Sequence, residues 1–343
     1  MMKVVTPLSD ISSYEPLVEA GADEFFCGFI PFEWLKVYSS VLPLNRRENH
    51  AISWNICTLS SMKILRKMVE YYKVPVKITF NAHYYIESQY PVLIDIVKKL
   101  LESGFNNFII ADIAFIMYLR DKGFDCNIHL SGEAEVYNRM SIRFLDRFNI
   151  ARYVFPRKTP IENMKSCISN SGVLNKEYEA FILNALCQFS GGFCNALHCD
   201  ELQPICSMPQ KISKTNGSQG KFAAVENTIR IKEIVDSGIR AKTEGKTTDS
   251  DKNKIPFGLE GCGVCKIKEL MDIGVTHLKI VGRGYSLDSL INDVKNVREI
   301  INTAAIYDDY GKFENAVKEN YFKNKCPEYC YYMKSAGSLY KNR

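Results

Sequence analysis

The sequence predicts an α/β protein: a (β/α)8 TIM-like barrel with a cysteine-rich insertion between strands 7 and 8 and a short C-terminal appendage. Three observations predict it. Short β-branched or aromatic runs alternate with amphipathic helical stretches, the pattern of a parallel sheet with crossover helices. The runs number eight, the count that closes a barrel, with an open doubly wound sheet as the alternative. Gly21, Gly104, Gly123 and Gly274 follow helical patterns, where a left-handed residue ends a helix.

In order, the strand candidates are residues 3–6, 24–27, 76–80, 107–111, 127–130, 152–155, 179–183 and 277–281. The helical stretches are 13–20, 60–72, 92–103, 114–122, 134–148, 160–169 and 286–305. In the third, Val92, Ile96 and Leu100 share one face and charges occupy the other. Residues 28–59 read as a long loop after strand two. Residues 1–187 therefore hold the first seven βα units, 188–276 the insertion, 277–310 the last strand and helix, and 311–343 the appendage. Within the insertion, 211–254 is polar and Gly/Ser-rich and reads as mobile around one short helix at 223–236.

The chain has 343 residues, 46% of them hydrophobic, enough for a large core. A net charge of +5 without like-charge blocks gives no signal for nucleic acid and suits a small anionic substrate. Residues 1–10 lack the charged start and apolar run of a secretory signal, and no apolar run reaches membrane-spanning length. The expectation is a cytoplasmic protein whose twelve cysteines are ligands or buried thiols rather than disulfides.

Barrel active sites lie where the strands end. The residues there are Cys27, Asn81 with His83, Asp112, Ser131 with Glu133, Arg157, Cys187, and Gly282 with Arg283. Arg157 and Arg283 suit an anion clamp, or else salt bridges to Asp112 or Glu133 that brace the rim. His83 suits proton transfer, or a structural hydrogen bond. Asn81 and Asp112 suit orientation of substrate. Lys279 is either a buried paired cation or a solvated stem. The loop Asn45-Arg46-Arg47-Glu48 either covers the mouth or is a solvated turn.

Cys187 ends strand seven, and Cys194, Cys199 and Cys206 follow. Cys262 and Cys265 form CGVC, and Cys326 and Cys330 form CPEYC. Four thiolates fit tetrahedral zinc or an iron–sulfur cube. Zinc favours tight pairs, whereas the looser Cys187, Cys194, Cys206 series suits a cluster held by a folded loop. Cys57, Cys126 and Cys167 read as buried thiols. Cys262, Cys326 and Cys330 could make a second metal site.

At NALCQFSGGFCNA, QPICSMP and ELMDIGVTHLKIVGRG the sequence resembles peptidase family U-32, the collagenase-like group. VEAGADEFFCG, FNAHYY, FIIADIAFI, IHLSGEAEVYN and YVFPRK match in order, covering about residues 3–305. The resemblance implies an oxygen-independent hydroxylase carrying a four-iron, four-sulfur cluster. Some such members act on ubiquinone precursors as a heterodimeric pair with a paralogous chain, and others on RNA pyrimidines with prephenate implicated as oxygen donor. It implies Cys187, Cys194 and Cys206 as cluster ligands, with Cys265 or Cys262 as the fourth. Val281 replaces the family's usual acidic residue, and the extra C-terminal domains of the RNA-modifying members are lacking, which lowers the RNA reading. Two alternatives stand beside the enzyme: a peptide hydrolase, for which no GxSxG or HExxH motif is present, and a non-catalytic metal-stabilised partner subunit.

Overall fold

The computed structural model describes residues 2–38, 42–46, 54–187, 191–192, 256–327 and 329–332. Eight parallel strands run in sequence order around a closed barrel. They are β1 (Lys3–Pro7), β2 (Glu24–Gly28), β3 (Val76–Phe80), β4 (Asn107–Ile110), β5 (Asn127–Leu130), β6 (Ile150–Val154), β7 (Glu177–Leu183) and β8 (His277–Ile280). Closure is visible at Val5, which registers with Glu24 of β2 and with Lys279 of β8.

The helices are α1 (Tyr14–Glu19), α2 (Phe32–Tyr38), α3 (Leu59–Tyr72), α4 (Tyr90–Glu102), α5 (Ile113–Asp121), α6 (Arg139–Leu145), α7 (Ile161–Asn170), α8 (Ile267–Asp272), α9 (Leu287–Ala304) and α10 (Tyr310–Phe322). Asp112, Asn138 and Ser286 cap α5, α6 and α9 by accepting backbone N–H bonds. Among the described residues, no helix is long and apolar enough to cross a membrane.

Alternation along each strand sends one set of side chains outward and the other into the barrel. The outward set, with Val4, Phe25, Ile78, Phe108, Ile128, Tyr153, Ala180 and Leu278, is apolar and buried. The inward set contains an ionic network, alongside Phe26, Ile109 and Phe181. Arg152 donates through Nη1 to Glu24 Oε1 at 2.5 Å and Glu179 Oε2 at 2.8 Å, and through Nη2 to Glu177 Oε2 at 2.7 Å. Lys279 donates to Glu179 Oε1 at 2.7 Å and lies 4.0 Å from the Phe26 ring centroid. Lys77 reaches Glu24 at 3.5 Å. Each charge is thus paired, the condition for keeping ions out of water. His277 Nε2 lies 2.9 Å from Arg152 Nη2, a contact that requires it to accept, so its Nδ1–H points at Thr276 Oγ1 at 2.7 Å.

Several boundaries differ from the sequence reading. β6 and β7 each begin two residues earlier than expected, at Ile150 and Glu177, and the half-exposed Glu177 is tied to the interior by Arg152 Nη2. The expected loop 28–59 contains α2, whose Trp34 is buried. The expected helix 134–148 divides: Glu135 takes a left-handed φ of 57°, Asn138 starts α6, and a 3-10 turn follows at Asp146–Phe148. The expected helix 223–236 and the polar stretch 211–254 lie outside the described residues.

Residues 256–276 of the expected insertion pack as barrel wall. Leu183 bridges Cys262, Asn184 N donates to Gly261 O, and α8 leads into β8. The appendage contains α10 and then returns to strand seven. Tyr331 and Tyr332 are buried there, and their hydroxyls donate to Asn184 O and Phe181 O, each at 2.5 Å.

Candidate active site at the barrel mouth

The strands end around a cavity of about 50 Å³. Its polar lining includes Thr79, Asn81, Ser131, Glu133, Arg157, Lys279 and Arg283, over a floor that includes Phe26, Ile109 and Phe181. That volume holds one or two water-sized groups, less than the ~300 Å³ or more of an ordinary ligand pocket.

Glu133 organises the mouth. It follows Ser131, whose side chain caps the short 3-10 turn Gly132–Ala134 and fixes where the carboxylate stands. Arg157 Nη1 donates to Glu133 Oε1 at 2.6 Å, and Arg46 Nη1 lies 3.0 Å from Oε2. Burial opposes ionisation of this carboxyl, but the two guanidinium groups outweigh it and hold its pKa well below the usual range. Burial likewise opposes charge on Arg157, and Glu133 more than restores it. Arg157 also lies over the Phe181 ring at 4.4 Å, and its buried Nε makes no hydrogen bond among the described residues. The charges lining the cavity sum to cationic: Arg157, Lys279 and Arg283 against Glu133.

Arg46 covers the mouth. Its backbone N donates to Asn81 Oδ1 at 3.2 Å, while Asn81 N donates to Asn45 Oδ1 at 3.4 Å. Arg46 Nη1 donates to Gly191 O at 3.0 Å and contacts His83 Nε2. Burial, then the Arg46 charge, push the His83 pKa down, so its ring is neutral and accepts from Arg46. The covering reading of the loop therefore holds for Asn45 and Arg46; Arg47 and Glu48 lie outside the described residues.

The glycines after Cys187 are explained by Glu133 and Glu135. A Cβ on Gly191 would lie 2.1 Å from Glu133 Oε2, and one on Gly192 would lie 2.1 Å from Glu135 Cγ. Gly192 N donates to Glu135 Oε1 at 2.7 Å. Only bare backbone fits against these side chains. Asn184 and Ala185, with φ of 68° and 40°, turn the chain at the end of β7, and Asp293 Oδ2 accepts from Asn184 Nδ2 at 2.7 Å.

Of the sequence-predicted residues, the structure brings Asn81, Arg157 and Arg283 to the cavity and His83 to its cover. Arg283 is buried and donates to Asn55 Oδ1 at 3.4 Å. Asp112 stands apart. Its carboxylate caps α5 through Ala114 N and Phe115 N and accepts from Tyr85 N, so it holds backbone rather than substrate. Glu133 and Arg46 were not singled out as a pair, although both stood in segments the sequence marked.

Cys187 is half-buried and lies within electrostatic reach of Arg157. Cys194 and Cys206 lie outside the described residues. Cys262 and Cys265 lie beside Cys330, and Cys326 is within reach of Cys262. Among the described residues, no group of three or more His, Cys, Asp or Glu side chains is arranged to hold a metal ion.

The profile described as Peptidase family U32 matches residues 9–337. A curated relative, "tRNA hydroxylation protein P" of Escherichia coli (strain K12), is 30% identical over 98 residues, which is 29% of this chain and 21% of the relative. The chain thus spans about a fifth of that relative's length in the matched stretch. A structure titled "The Structure of the U32 Peptidase Mk0906" superposes with a TM-score of 0.38 at 12% identity, over 53% of this chain and 69% of the other. A glycerophosphodiester phosphodiesterase from Parabacteroides distasonis gives 0.45 at 9% identity, over 89% and 99%.

Proposed function

The chain belongs to peptidase family U32, and from that premise we propose that it is an iron–sulfur enzyme acting on a small anionic metabolite by a redox step, hydroxylation without dioxygen. The observation that carries the reading is Arg157: a buried guanidinium at a cationic cavity, whose Nε has no acceptor among the described residues, within electrostatic reach of Cys187. A ligand carboxylate or phosphate supplies the missing acceptor. Hydroxylation is the reaction in the name of the Escherichia coli relative, and it supports the reaction class alone.

The residues present suit such a group in their donor chemistry. Cys187 would hold the cluster together with Cys194 and Cys206 of the same run, and bound there the cluster would supply electron transfer to an oxygen-rich substrate. Arg157 and Arg283 bind the anion, Asn81 orients it, and Arg46 excludes water from above. Neutral His83 can take a proton at Nε2 once Arg46 moves aside. A hydrolase is less well served: the His83 ring nitrogen faces Arg46 rather than a serine or cysteine.

The test is anaerobic purification with iron and sulfide analysis of wild type and Cys187→Ala, plus thermal shift with a panel of carboxylates and phosphate esters. The expected result is iron and sulfide lost in the variant, and a stabilising carboxylate whose effect disappears in Arg283→Gln. An iron-free wild type, or indifference to every anion, would overturn the reading.

A further inference from the structure

Helix α6 carries apolar side chains on two faces, and the barrel uses one of them. Ile142 and Leu145 turn inward and are buried, whereas Met140 and Phe144, one turn apart, are 59% and 53% exposed. Beside them lies an open groove of about 360 Å³, lined also by Ile113, Ala134, Val136 and Leu145. Met117, one turn along α5 from Ile113, and Tyr137, next to Val136, are exposed as well. A single exposed apolar side chain is ordinary; several large ones gathered at a concave surface mark a place of interaction.

The charge along α6 is of one sign. Arg139 and Arg143 each precede one of the exposed apolar residues, and Arg147 continues the row; all three are exposed. At 3.6 residues per turn they form one flank of the Met140–Phe144 stripe. Arg147 lies over the Phe144 ring at 3.9 Å and donates through Nε to Phe144 O at 2.8 Å. Among the described residues none of the three pairs with a carboxylate. The acids of this region are already engaged: Asp146 by Lys176 at 2.7 Å, and Glu135, which also lines the groove, by Gly192 N at 2.7 Å.

We propose that this groove is the docking site for an acidic amphipathic helix of another protein. Its aliphatic side chains fill the floor and pack on Met140 and Phe144, and its carboxylates meet Arg139, Arg143 and Arg147. The thioether of Met140 adapts to such a guest. The floor is methyl, methylene and ring carbon, which receives aliphatic side chains rather than sugar and phosphate, so charge complementarity and lining together favour a protein over a nucleic acid. The seat adjoins the mouth, since Ala134 and Glu135 directly follow Glu133. It does not depend on the reaction proposed above.

The experiment is fluorescence anisotropy with the full chain and two labelled helical peptides of about 20 residues. Both carry leucine at i, i+3, i+4 and i+7, one with glutamate and the other with lysine on the flanking positions; a labelled oligouridylate is the third probe. The acidic peptide is expected to bind with a Kd of about 10 μM. Phe144→Ser should weaken it about tenfold, and Arg139→Glu/Arg143→Glu should reject it and take up the lysine peptide instead. All three side chains are exposed, so the wild-type Tm is expected in each variant. Phe144→p-benzoylphenylalanine, which keeps an aromatic ring there, is expected to crosslink to the acidic peptide on irradiation. No binding, equal binding of the two peptides, a preference for the oligouridylate, or a crosslink to this chain's own residues or to a second copy would each overturn the proposal.

Discussion

Gly191 and Glu133 touch: the glycine's backbone passes where a single added carbon would sit 2.1 Å from the carboxylate. Glu133 cannot swing aside, because Arg157 and Arg46 hold both of its oxygens. Gly191→Ala is expected to push the loop after Cys187 off the mouth. The cost is about 1–3 kcal/mol of overpacking, read as a lower Tm, together with reduced iron per chain.

Glu133→Gln tests the hub from the other side. It leaves two guanidinium groups at the mouth without their counter-charge, and a loss of about 3 kcal/mol is expected by urea unfolding at pH 7. The wild-type contribution has a definite pH sign. The folded pKa of Glu133 is depressed, so its stabilisation is present above the unfolded value of about 4.3 and is lost as the pH falls.

The barrel interior makes the same kind of prediction more severely. Arg152→Met strands Glu24 and Glu179 deep in the barrel, with only Lys77 and Lys279 left to them. A loss of about 3–5 kcal/mol is expected, whereas Arg66→Met, which breaks an exposed pair with Glu70, should cost under about 1 kcal/mol. Equal effects in chemical denaturation would contradict the assignment of the interior network.

Two buried groups give opposite pH slopes. Burial and then Arg152 push His277 down to about 4 from 6.5, so the unfolded chain binds the extra proton between those values and stability rises with pH there. Burial pushes Asp293 up to about 7 from 3.8, so the folded chain binds the extra proton and stability falls as pH rises through that window. Each slope amounts to about 3–4 kcal/mol at most and they offset between pH 4 and 6.5. His277→Gln should therefore expose a falling stability profile and Asp293→Asn a rising one, in urea titrations at half-unit pH steps.

The barrel was legible because outward residues of each strand are apolar and β-branched or aromatic, a signal independent of the interior. The start of β7 was not, since Glu177 looks like a solvent-facing residue until Arg152 of the neighbouring strand reaches it. At the mouth, Arg157 and Arg283 were legible as charged residues ending apolar runs. Asp112 carries the same signal and caps α5, because an acidic residue at a strand end is also what a helix start requires. Glu133 and Arg46 are 87 residues apart, and nothing local in either segment announces their meeting.

The segment that seats Tyr331 and Tyr332 on strand seven follows all eight strands of the barrel in the chain. Its partners Phe181, Asn184 and Cys262 are displayed in their final arrangement only after β8 has inserted. Docking of the tail thus reports on closure: until β7 and β8 are paired, Tyr331 and Tyr332 have no formed seat to enter.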